Sequence, residues 1–231
     1  MKRLKDPEEE KTNAIEKVID NTIRNRHKVY LMTDWHLWKR VEKGKPKCNP
    51  RPGSDKILKT VNGTLRKDDL LIYLGDLVDG EFTDKASLKL LLKTIPGRKI
   101  LVRGNNDLFD AAFYKSCGFD YVVDSFVWHD VIFSHIPLRH KHKMNIHGHI
   151  HGYRTYWVPY NNHIDVAAAP ELDGRNKPVE LKDVISAQKR YAKTIKEQPE
   201  HFNEGYLFNV GDLFDVVMSN TVYIDDPFPD Y

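Results

Sequence analysis

The sequence lacks the features that mark secreted and membrane proteins. It has two cysteines, Cys48 and Cys117, among 231 residues, which is too few for a disulfide framework and typical of reduced thiols. No stretch approaches the ~20 consecutive apolar residues that a membrane span needs. The first residues are charged rather than apolar, which is unlike a secretory signal peptide. These absences predict a cytoplasmic protein with no membrane partner.

A strong excess of charge of either sign is also missing. The 36 basic and 33 acidic residues leave a formal net charge of +3, so the chain as a whole has no basic footprint for nucleic acid. One local basic stretch, from Lys39 to Arg51, leaves nucleic acid as a weakly supported partner. With 40% hydrophobic and 30% charged residues, the composition is typical of a globular protein, and the length fits one domain or at most two small ones.

Helical periodicity opens the chain, and strands and helices then alternate. Between Pro7 and Arg26 apolar residues recur at helical spacing, which predicts an amphipathic helix. The segments that follow predict strands at 28–33, 71–74 and 98–103 and helices at 54–65, 83–94 and 108–117. Ser54 is the expected N-cap of the first of these three helices. Alternation of this kind produces parallel βαβ units.

The alternation ends after residue 117, and short strands follow one another. Residues 121–128 and 131–134 predict a hairpin closed by His129 and Asp130, so antiparallel pairing is expected here. Further strands are predicted at 144–147, 153–158, 163–167, 206–210, 214–218 and 222–224, and a helix at 180–196. We therefore expect an α/β fold of two packed mixed sheets flanked by helices.

The predicted domain organisation is a single domain over residues 1–231. A helical extension at about 5–26 precedes the core, and a polar helical insertion is expected at about 170–204. The extension is expected to pack on the core, with partner binding as the alternative. The insertion could be a lid, an oligomer contact or plain decoration, and the sequence does not choose among these.

Residue types that bind metals follow the strands at the points where the strands end. Asp76 comes after a buried apolar strand and Gly75, and a buried carboxylate needs a positive partner because unpaired buried charge is costly. Such residues come from five segments: Asp34, His36, Asp76, Asn105, His135, His149 and His151. Ligands at the ends of neighbouring strands converge on one crevice. Seven are too many for one metal, so they predict two metals that share a carboxylate, with Asp76 as the natural bridge.

Five motifs, in order along the chain, resemble the calcineurin-like metallophosphoesterase superfamily. They are Asp34-x-His36, Gly75-Asp76-x-x-Asp79, Gly104-Asn105-x-Asp107, His135 and Gly148-His149-x-His151, and they cover roughly residues 28–151. The resemblance implies a four-layer sandwich of two sheets between helices. It implies that one metal is held by Asp34, His36, Asp76 and His151, and the other by Asp76, Asn105, His135 and His149. It also implies phosphoester hydrolysis by in-line attack of a metal-bound hydroxide.

Asn106 departs from the commonest pattern of this family, in which a His at this position helps to protonate the leaving group. An amide cannot act as a general acid, and such an acid typically contributes ~10²–10⁴-fold. We therefore hypothesise a preference for phosphodiesters or for esters with good leaving groups. Asp79 and Asp107 are candidates for orienting ligands or contacting substrate, although each could instead only start the helix that follows it. His147 could line the site beside His149, but a structural role is favoured.

Neither the metal nor the substrate is specified by the sequence. Imidazole, carboxylate and amide ligands without thiolate suit Mn²⁺, Fe, Zn²⁺, Ni²⁺ or Co²⁺, and Mn²⁺ is our working choice. The expected substrate is a small phosphate ester, for which a nucleotide is one option. The alternatives are a nuclease and a non-catalytic scaffold of the same fold, although a scaffold usually loses ligands and none is lost here. The oligomeric state is not predicted.

Overall fold

The computed structural model describes residues 7–37, 53–78, 85–138, 143–150, 163–167 and 174–197. The helices within these residues are α1 Pro7–Arg24, α2 Ser54–Thr64, α3 Lys85–Thr94, α4 Ala111–Ser116 and α5 Leu181–Glu197. The strands are β1 Val29–Met32, β2 Leu70–Tyr73, β3 Arg98–Val102, β4 Tyr121–Val123, β5 Ser125–Trp128, β6 Val131–Ser134, β7 Met144–His147, β8 His163–Asp165 and β9 Val179–Glu180. The strands predicted at 153–158, 206–210, 214–218 and 222–224 lie outside the described residues.

Four parallel strands form most of the first sheet. The strand order is β4-β3-β2-β1-β9, with β1 to β4 parallel and β9 antiparallel to β1 at one edge. A helix follows each of β1, β2 and β3 and returns the chain to the start of the next strand, as the alternation in the sequence predicts. All four parallel strands therefore end at the same edge of the sheet.

Side-chain alternation in the first sheet divides the core into two layers. One face, which includes Leu31 and Ile72, packs with α1, α5 and the second sheet. The opposite face, which includes Met32 and Tyr73, packs with α2, α3 and α4. Because a parallel sheet of this kind is buried on both faces, its strands are apolar at nearly every position and read as continuous hydrophobic runs.

The second sheet has the strand order β5-β6-β7-β8. Strands β5 and β6 form the predicted antiparallel hairpin, in which Val127 lies opposite Ile132. Strand β7 is parallel to β6, and β8 is parallel to β7. The expectation of antiparallel strands in this half of the chain is therefore wrong beyond the hairpin. Parallel pairing requires the chain to return to the opposite end of the sheet between two strands. The connections from β6 to β7 and from β7 to β8 have the length for this.

The strand predicted at 121–128 is wrong as a single element. Val123 of β4 pairs with Val102 in the first sheet, whereas Ser125 of β5 pairs with Ser134 in the second. Asp124 lies between them, where the chain passes from one sheet to the other. Its carboxylate accepts hydrogen bonds from the Arg103 guanidinium, at 2.9 Å from Nε and 2.6 Å from Nη2. Hydrophobic pattern cannot reveal this crossing because both halves are extended and apolar.

Two smaller differences concern short elements. The prediction that Ser54 caps α2 is wrong, because the N-cap is Gly53, in the left-handed region with φ of 89°. Glycine adopts a left-handed backbone conformation without steric cost, and the N-cap therefore lies one residue before the predicted position. The two-residue strand β9 escapes prediction because Val179 and Glu180 are too few to show a period.

The predicted fold class, an α/β fold of two packed mixed sheets with flanking helices, is confirmed. Helix α1 contacts β5 and β1, and α5 contacts β1, β8 and β9. The described part of the predicted insertion is joined to the core, since β9 extends the first sheet and Val184 of α5 is fully buried. The domain boundaries stay predictions. Among the described helices, none combines the length and the apolar composition needed to cross a bilayer.

Candidate metal centre

Five strands, three from the first sheet and two from the second, lead into predicted ligands that lie close together. Within the first sheet, β1 leads into Asp34 and His36, β2 into Asp76 and β3 into Asn105. Within the second sheet, β6 leads into His135 and β7 into His149. The carboxyl ends of strands are the usual position of binding sites in α/β folds.

Four polar side chains converge where the two sheets meet. His135 Nε2 lies 3.3 Å from Asp76 Oδ2 and 3.0 Å from Asn105 Oδ1. His149 Nδ1 lies 3.2 Å from His135 Nε2, and the two rings are inclined at 76°. Two ring nitrogens, a carboxylate oxygen and an amide oxygen are thus close neighbours, and this donor set is typical of a divalent transition metal.

A second group also includes Asp76. His36 Nε2 lies 3.6 Å from Asp76 Oδ2 and 4.0 Å from Asp34 Oδ1, and all three side chains are buried. The Asp34 carboxylate accepts hydrogen bonds from Thr33 Oγ1 at 2.6 Å and from the backbone N–H of His149 at 3.0 Å. Partners of this kind fix the direction in which a ligating carboxylate points.

Asp76 is the residue that the two groups share. The possible ligand atoms of Asp76, His135 and His149 lie within 4.8 Å of one another, and so do those of Asp34, His36 and Asp76. This division matches the two ligand sets that the family resemblance implies, except that His151 lies outside the described residues, as does Asp79. The structure brings the other six predicted ligands together, and their role as ligands stays a prediction.

Four of these six residues have a left-handed backbone. Their φ angles are 53° at Asp34, 47° at His36, 54° at Asp76 and 72° at His149. Such angles are uncommon outside glycine, and strained backbone of this kind costs on the order of 1–3 kcal/mol per residue. Strain of this size persists where the surrounding structure imposes it, which is typical of functional sites.

Two glycines allow the turns of the site to approach one another. A Cβ atom at Gly104 would collide with the backbone nitrogen and carboxylate of Asp76. A Cβ atom at Gly148 would collide with the side chains of Thr33 and Asp34. Each glycine directly precedes a predicted ligand, so the absence of a side chain lets that ligand's turn pack against the turn of another ligand.

The electrostatics of the site favour bound positive charge. Burial opposes ionisation of Asp76, but the nearby rings of His135 and His36 lower its pKa below the ordinary value. Burial also opposes a charged ring at His135, yet the carboxylates of Asp76 and Asp34 raise its pKa to about 10. A cation between these carboxylates would meet the same field that favours a positive charge on His135.

Asp107 holds the turn of Asp76 against the turn of Asn105. Its Oδ2 accepts hydrogen bonds from the backbone N–H groups of Asp76 and Gly104, both at 2.9 Å, and its Oδ1 accepts one from Leu77 at 3.1 Å. Burial and the charge of Asp76 raise the pKa of Asp107 to about 7. The alternative role as a helix cap is wrong, because Asp110 caps α4 by accepting from Phe113 N at 2.7 Å.

Asn106 contacts both oxygens of the Asp76 carboxylate. Its Nδ2 donates to Asp76 Oδ2 at 2.9 Å, and its backbone N–H donates to Asp76 Oδ1 at 3.0 Å. The side chain at the position of the missing His thus orients the shared carboxylate.

His147 has a structural environment, as favoured from the sequence. It is buried, its Nδ1 lies 2.9 Å from the carbonyl oxygen of Gly148, and its ring centre lies 5.7 Å from that of His163. Burial and the neighbouring His163 lower its pKa to about 3. The left-handed turn at His149 breaks the strand alternation that would have placed both side chains on one face.

Two supporting contacts were not anticipated from the sequence. The hydroxyl of Thr33 bonds the Asp34 carboxylate, and the carbonyl oxygen of Leu74 lies 2.7 Å from His135 Nδ1, which directs Nε2 towards the other ligands. A hydroxyl residue directly before Asp34 was the available signal for the first contact. The second uses a backbone carbonyl and leaves no signal in the sequence.

The comparison with solved structures gives distant similarities. The chain is similar to a protein of unknown function, AQ665 from Aquifex aeolicus, with 20% identity and a TM-score of 0.47 over 69% of this chain and 98% of that one. It is also similar to the nuclease MPE of Pseudomonas putida, with 22% identity and a TM-score of 0.41 over 53% of this chain and 61% of that one. No curated protein matches the chain.

The comparison with family models gives a match over most of the chain. The model described as calcineurin-like phosphoesterase matches residues 27–196 and so includes β1 to β9 and nearly all of α5. It begins after α1 and includes every residue of the two candidate ligand groups. The matched region is far more than half of the 231 residues, and the chain therefore belongs to the calcineurin-like phosphoesterase family.

Proposed function

We propose that this protein is a dinuclear metal-dependent phosphoester hydrolase that prefers phosphodiesters. The observation that carries the proposal is the position of Asp76, whose carboxylate belongs to both groups of potential ligands. A carboxylate within reach of two ions suits a pair of metals about 3.5–4 Å apart, the separation typical of two-metal sites. The proposed ligands are Asp34, His36, Asp76, Asn105, His135, His149 and His151.

The chemistry of the donor groups suits two divalent transition metals. The described donors combine imidazole nitrogens with carboxylate and amide oxygens, a mixture that Mn²⁺, Fe, Zn²⁺, Ni²⁺ and Co²⁺ accept. We favour Mn²⁺ for activity measurements. Bound ions would stabilise negative charge on the phosphate and lower the pKa of the attacking water to about 7.

The residues of the chain prepare the site for in-line displacement at phosphorus. Asn106 and the backbone around it hold both oxygens of the Asp76 carboxylate in one orientation. Thr33 and the N–H of His149 do the same for Asp34. Preorganised groups of this kind need no rearrangement as charge develops, which is how an active site favours the transition state over the ground state.

The preference for diesters rests on Asn106. Its amide donates to Asp76 and has no proton to give to a departing alkoxide. A substrate whose leaving group is already a weak base needs no such proton, so diesters with good leaving groups and activated esters are favoured. A small organic phosphate, with nucleotides among the candidates, is the proposed substrate class.

The first experiment is a paired assay on metal-stripped full-length protein reconstituted with Mn²⁺. Hydrolysis of a chromogenic phosphate diester is compared with that of the matching monoester, for wild type, Asp76→Asn and Asp68→Asn. Asp68 is exposed and provides the matched control for the change of carboxylate to amide. We expect metal-dependent diester hydrolysis that Asp76→Asn abolishes and Asp68→Asn leaves intact.

Other outcomes separate the alternatives. Preferential monoester hydrolysis would contradict the inference from Asn106 while leaving the metal proposal in place. Cleavage of single-stranded oligonucleotides in place of small diesters would favour the nuclease, for which the sequence offers the basic stretch 39–51. Two bound metals without hydrolysis of any of these substrates would favour the scaffold.

We also propose that residues 1–231 form one catalytic domain, with the extension at about 5–26 and the insertion at about 170–204 as additions. A cytoplasmic location is supported by the low cysteine content, two residues in 231, which is typical of a reducing compartment.

A further inference from the structure

A second cluster of metal-binding side chains lies away from the phosphoesterase centre. Glu16 and Asp20, one turn apart on α1, face His129 at the tip of the β5–β6 hairpin. His129 Nε2 lies 3.1 Å from Asp20 Oδ1, and His129 Nδ1 lies 3.4 Å from Glu16 Oε1. One nitrogen and two oxygens from these three residues lie within 4.8 Å of one another.

This cluster and the candidate metal centre lie at opposite ends of β6. His129 precedes the strand, whereas His135 follows it, and six residues of extended chain span roughly 20 Å. The cluster of Glu16, Asp20 and His129 shares no residue with either ligand group of the candidate metal centre. Metal binding at one can therefore be altered without changing a ligand of the other.

Trp128 gives the cluster a fixed carboxylate. The indole Nε1–H donates to Asp20 Oδ1 at 2.9 Å. This hydrogen bond, with those to His129, lowers the pKa of Asp20 below its ordinary value despite the opposing effect of burial, so the side chain is in its ligating, ionised form. Hydrogen bonds that orient ligating carboxylates are a regular part of protein metal sites.

The charge balance of the cluster favours a divalent cation. Arg24 lies one turn after Asp20 on α1 and acts on it only through space. Lys143 donates to the backbone oxygen of His129 at 3.1 Å and lies 3.8 Å from the carboxylate of Asp130. Two carboxylates thus face a single imidazole, and a doubly charged cation would balance both.

We propose that Glu16, Asp20 and His129 form an additional divalent-metal site, of the type that takes Zn²⁺, which fastens the N-terminal helix to the second sheet. An imidazole with two carboxylates suits Zn²⁺ better than Ca²⁺ or Mg²⁺, which prefer oxygen alone. The cluster is at the surface, with His129 58% exposed, so water can complete the coordination. Two of the three proposed ligands, Glu16 and Asp20, lie on α1 before the matched family region, whereas His129 lies within it.

The test counts bound Zn²⁺ in the full-length chain. Metal-stripped wild type, His129→Ala and His27→Ala are dialysed against micromolar Zn²⁺, and the metal is measured by atomic emission. His27 is an exposed histidine just after α1 and is the matched control. We expect His129→Ala to bind one equivalent less than wild type and His27→Ala to bind the same number.

Three further variants make the result independent of folding and of the phosphoesterase centre. Glu16→Gln should lose the same equivalent as His129→Ala, and Trp128→Phe should weaken that site by about 10–100-fold. The loss should also persist when His129→Ala is added to Asp76→Asn, because Asp76 is not part of the cluster. Equal Zn²⁺ content in wild type, His129→Ala and Glu16→Gln would overturn the proposal, whether or not the protein hydrolyses phosphoesters.

Discussion

Asp107 joins two ligand-bearing turns through backbone hydrogen bonds. An asparagine at this position keeps the shape but turns an NH₂ group towards backbone donors, so either the N–H groups of Asp76 and Gly104 or that of Leu77 lose their acceptor. We expect Asp107→Asn to lower the free energy of unfolding by about 1–3 kcal/mol and to weaken metal binding at least tenfold. Urea denaturation of metal-free protein and Mn²⁺ titration measure the two effects.

The control for this variant is Asp110→Asn, three residues further along the chain. Asp110 caps α4, and asparagine is an equally good N-cap, so little change is expected. If Asp107→Asn behaves like Asp110→Asn in both measurements, Asp107 does not position the site.

The proposed preference for substrates that need no proton donor depends on Asn106. Asn106→His introduces a possible general acid and removes the amide donor to Asp76. We expect the monoester rate to rise relative to the diester rate by about 10²-fold, towards the lower end of the usual effect of general acids. Steady-state kinetics of both substrates give the ratio.

Asn106→Ala is the matched variant, because it removes the same donor and adds no acid. It should lower the rates for monoester and diester together. Efficient monoester hydrolysis by wild type that Asn106→His does not change would contradict the role assigned to this residue.

At the scale of the elements, the turn after β3 requires glycine, whereas the helix α2 does not. A methyl group at Gly104 would collide with Asp76, but nothing lies within 4 Å of one at Gly63, an exposed position of α2. We expect Gly104→Ala to destabilise by about 1–3 kcal/mol and to weaken Mn²⁺ binding. Gly63→Ala should stabilise by about 0.5–1 kcal/mol.

Denaturation and metal titration of this pair separate the two positions. Unchanged Mn²⁺ affinity in Gly104→Ala would mean that the turns of Asp76 and Asn105 do not need to be in contact. A loss of stability in Gly63→Ala would contradict the open environment of Gly63.

Elements whose signals are local could be predicted from the sequence. The strands β1 and β2 are apolar or aromatic throughout, β3 is apolar over its last three residues, and a helix follows each. The candidate ligands stand out because polar residues follow these strands. The break at Asp124 could not be predicted, because sheet membership depends on pairing with distant strands. The role of Asp107 could not be predicted either, because it accepts hydrogen bonds from backbone N–H groups of another turn, and a sequence carries no signal for such contacts.

For the molecule as a whole, the candidate centre connects the two sheets. Asp34 and Asp76 come from the first sheet and His135 and His149 from the second. Metal that binds only the folded chain at 100 times its dissociation constant adds about 2.7 kcal/mol to the free energy of unfolding. We expect saturating Mn²⁺ to raise the melting temperature of metal-stripped protein by roughly 5–10 °C.

Thermal unfolding of wild type and Asp76→Asn with and without Mn²⁺ measures this effect. The rise should be lost or greatly reduced in Asp76→Asn and kept in Asp68→Asn. An equal rise in all three proteins would indicate that Mn²⁺ stabilises the chain from elsewhere.

The division of the ligands between two sheets also bears on how the chain matures as it is synthesised. Asp34, Asp76 and Asn105 leave the ribosome well before His135 and His149, at about 5–20 residues per second. Until then the chain carries Asp34, His36, Asp76 and Asn105 without the imidazoles of His135 and His149. Stable metal binding would then require the second sheet to have packed against the first. Bound metal would therefore distinguish fully folded chains from incomplete ones.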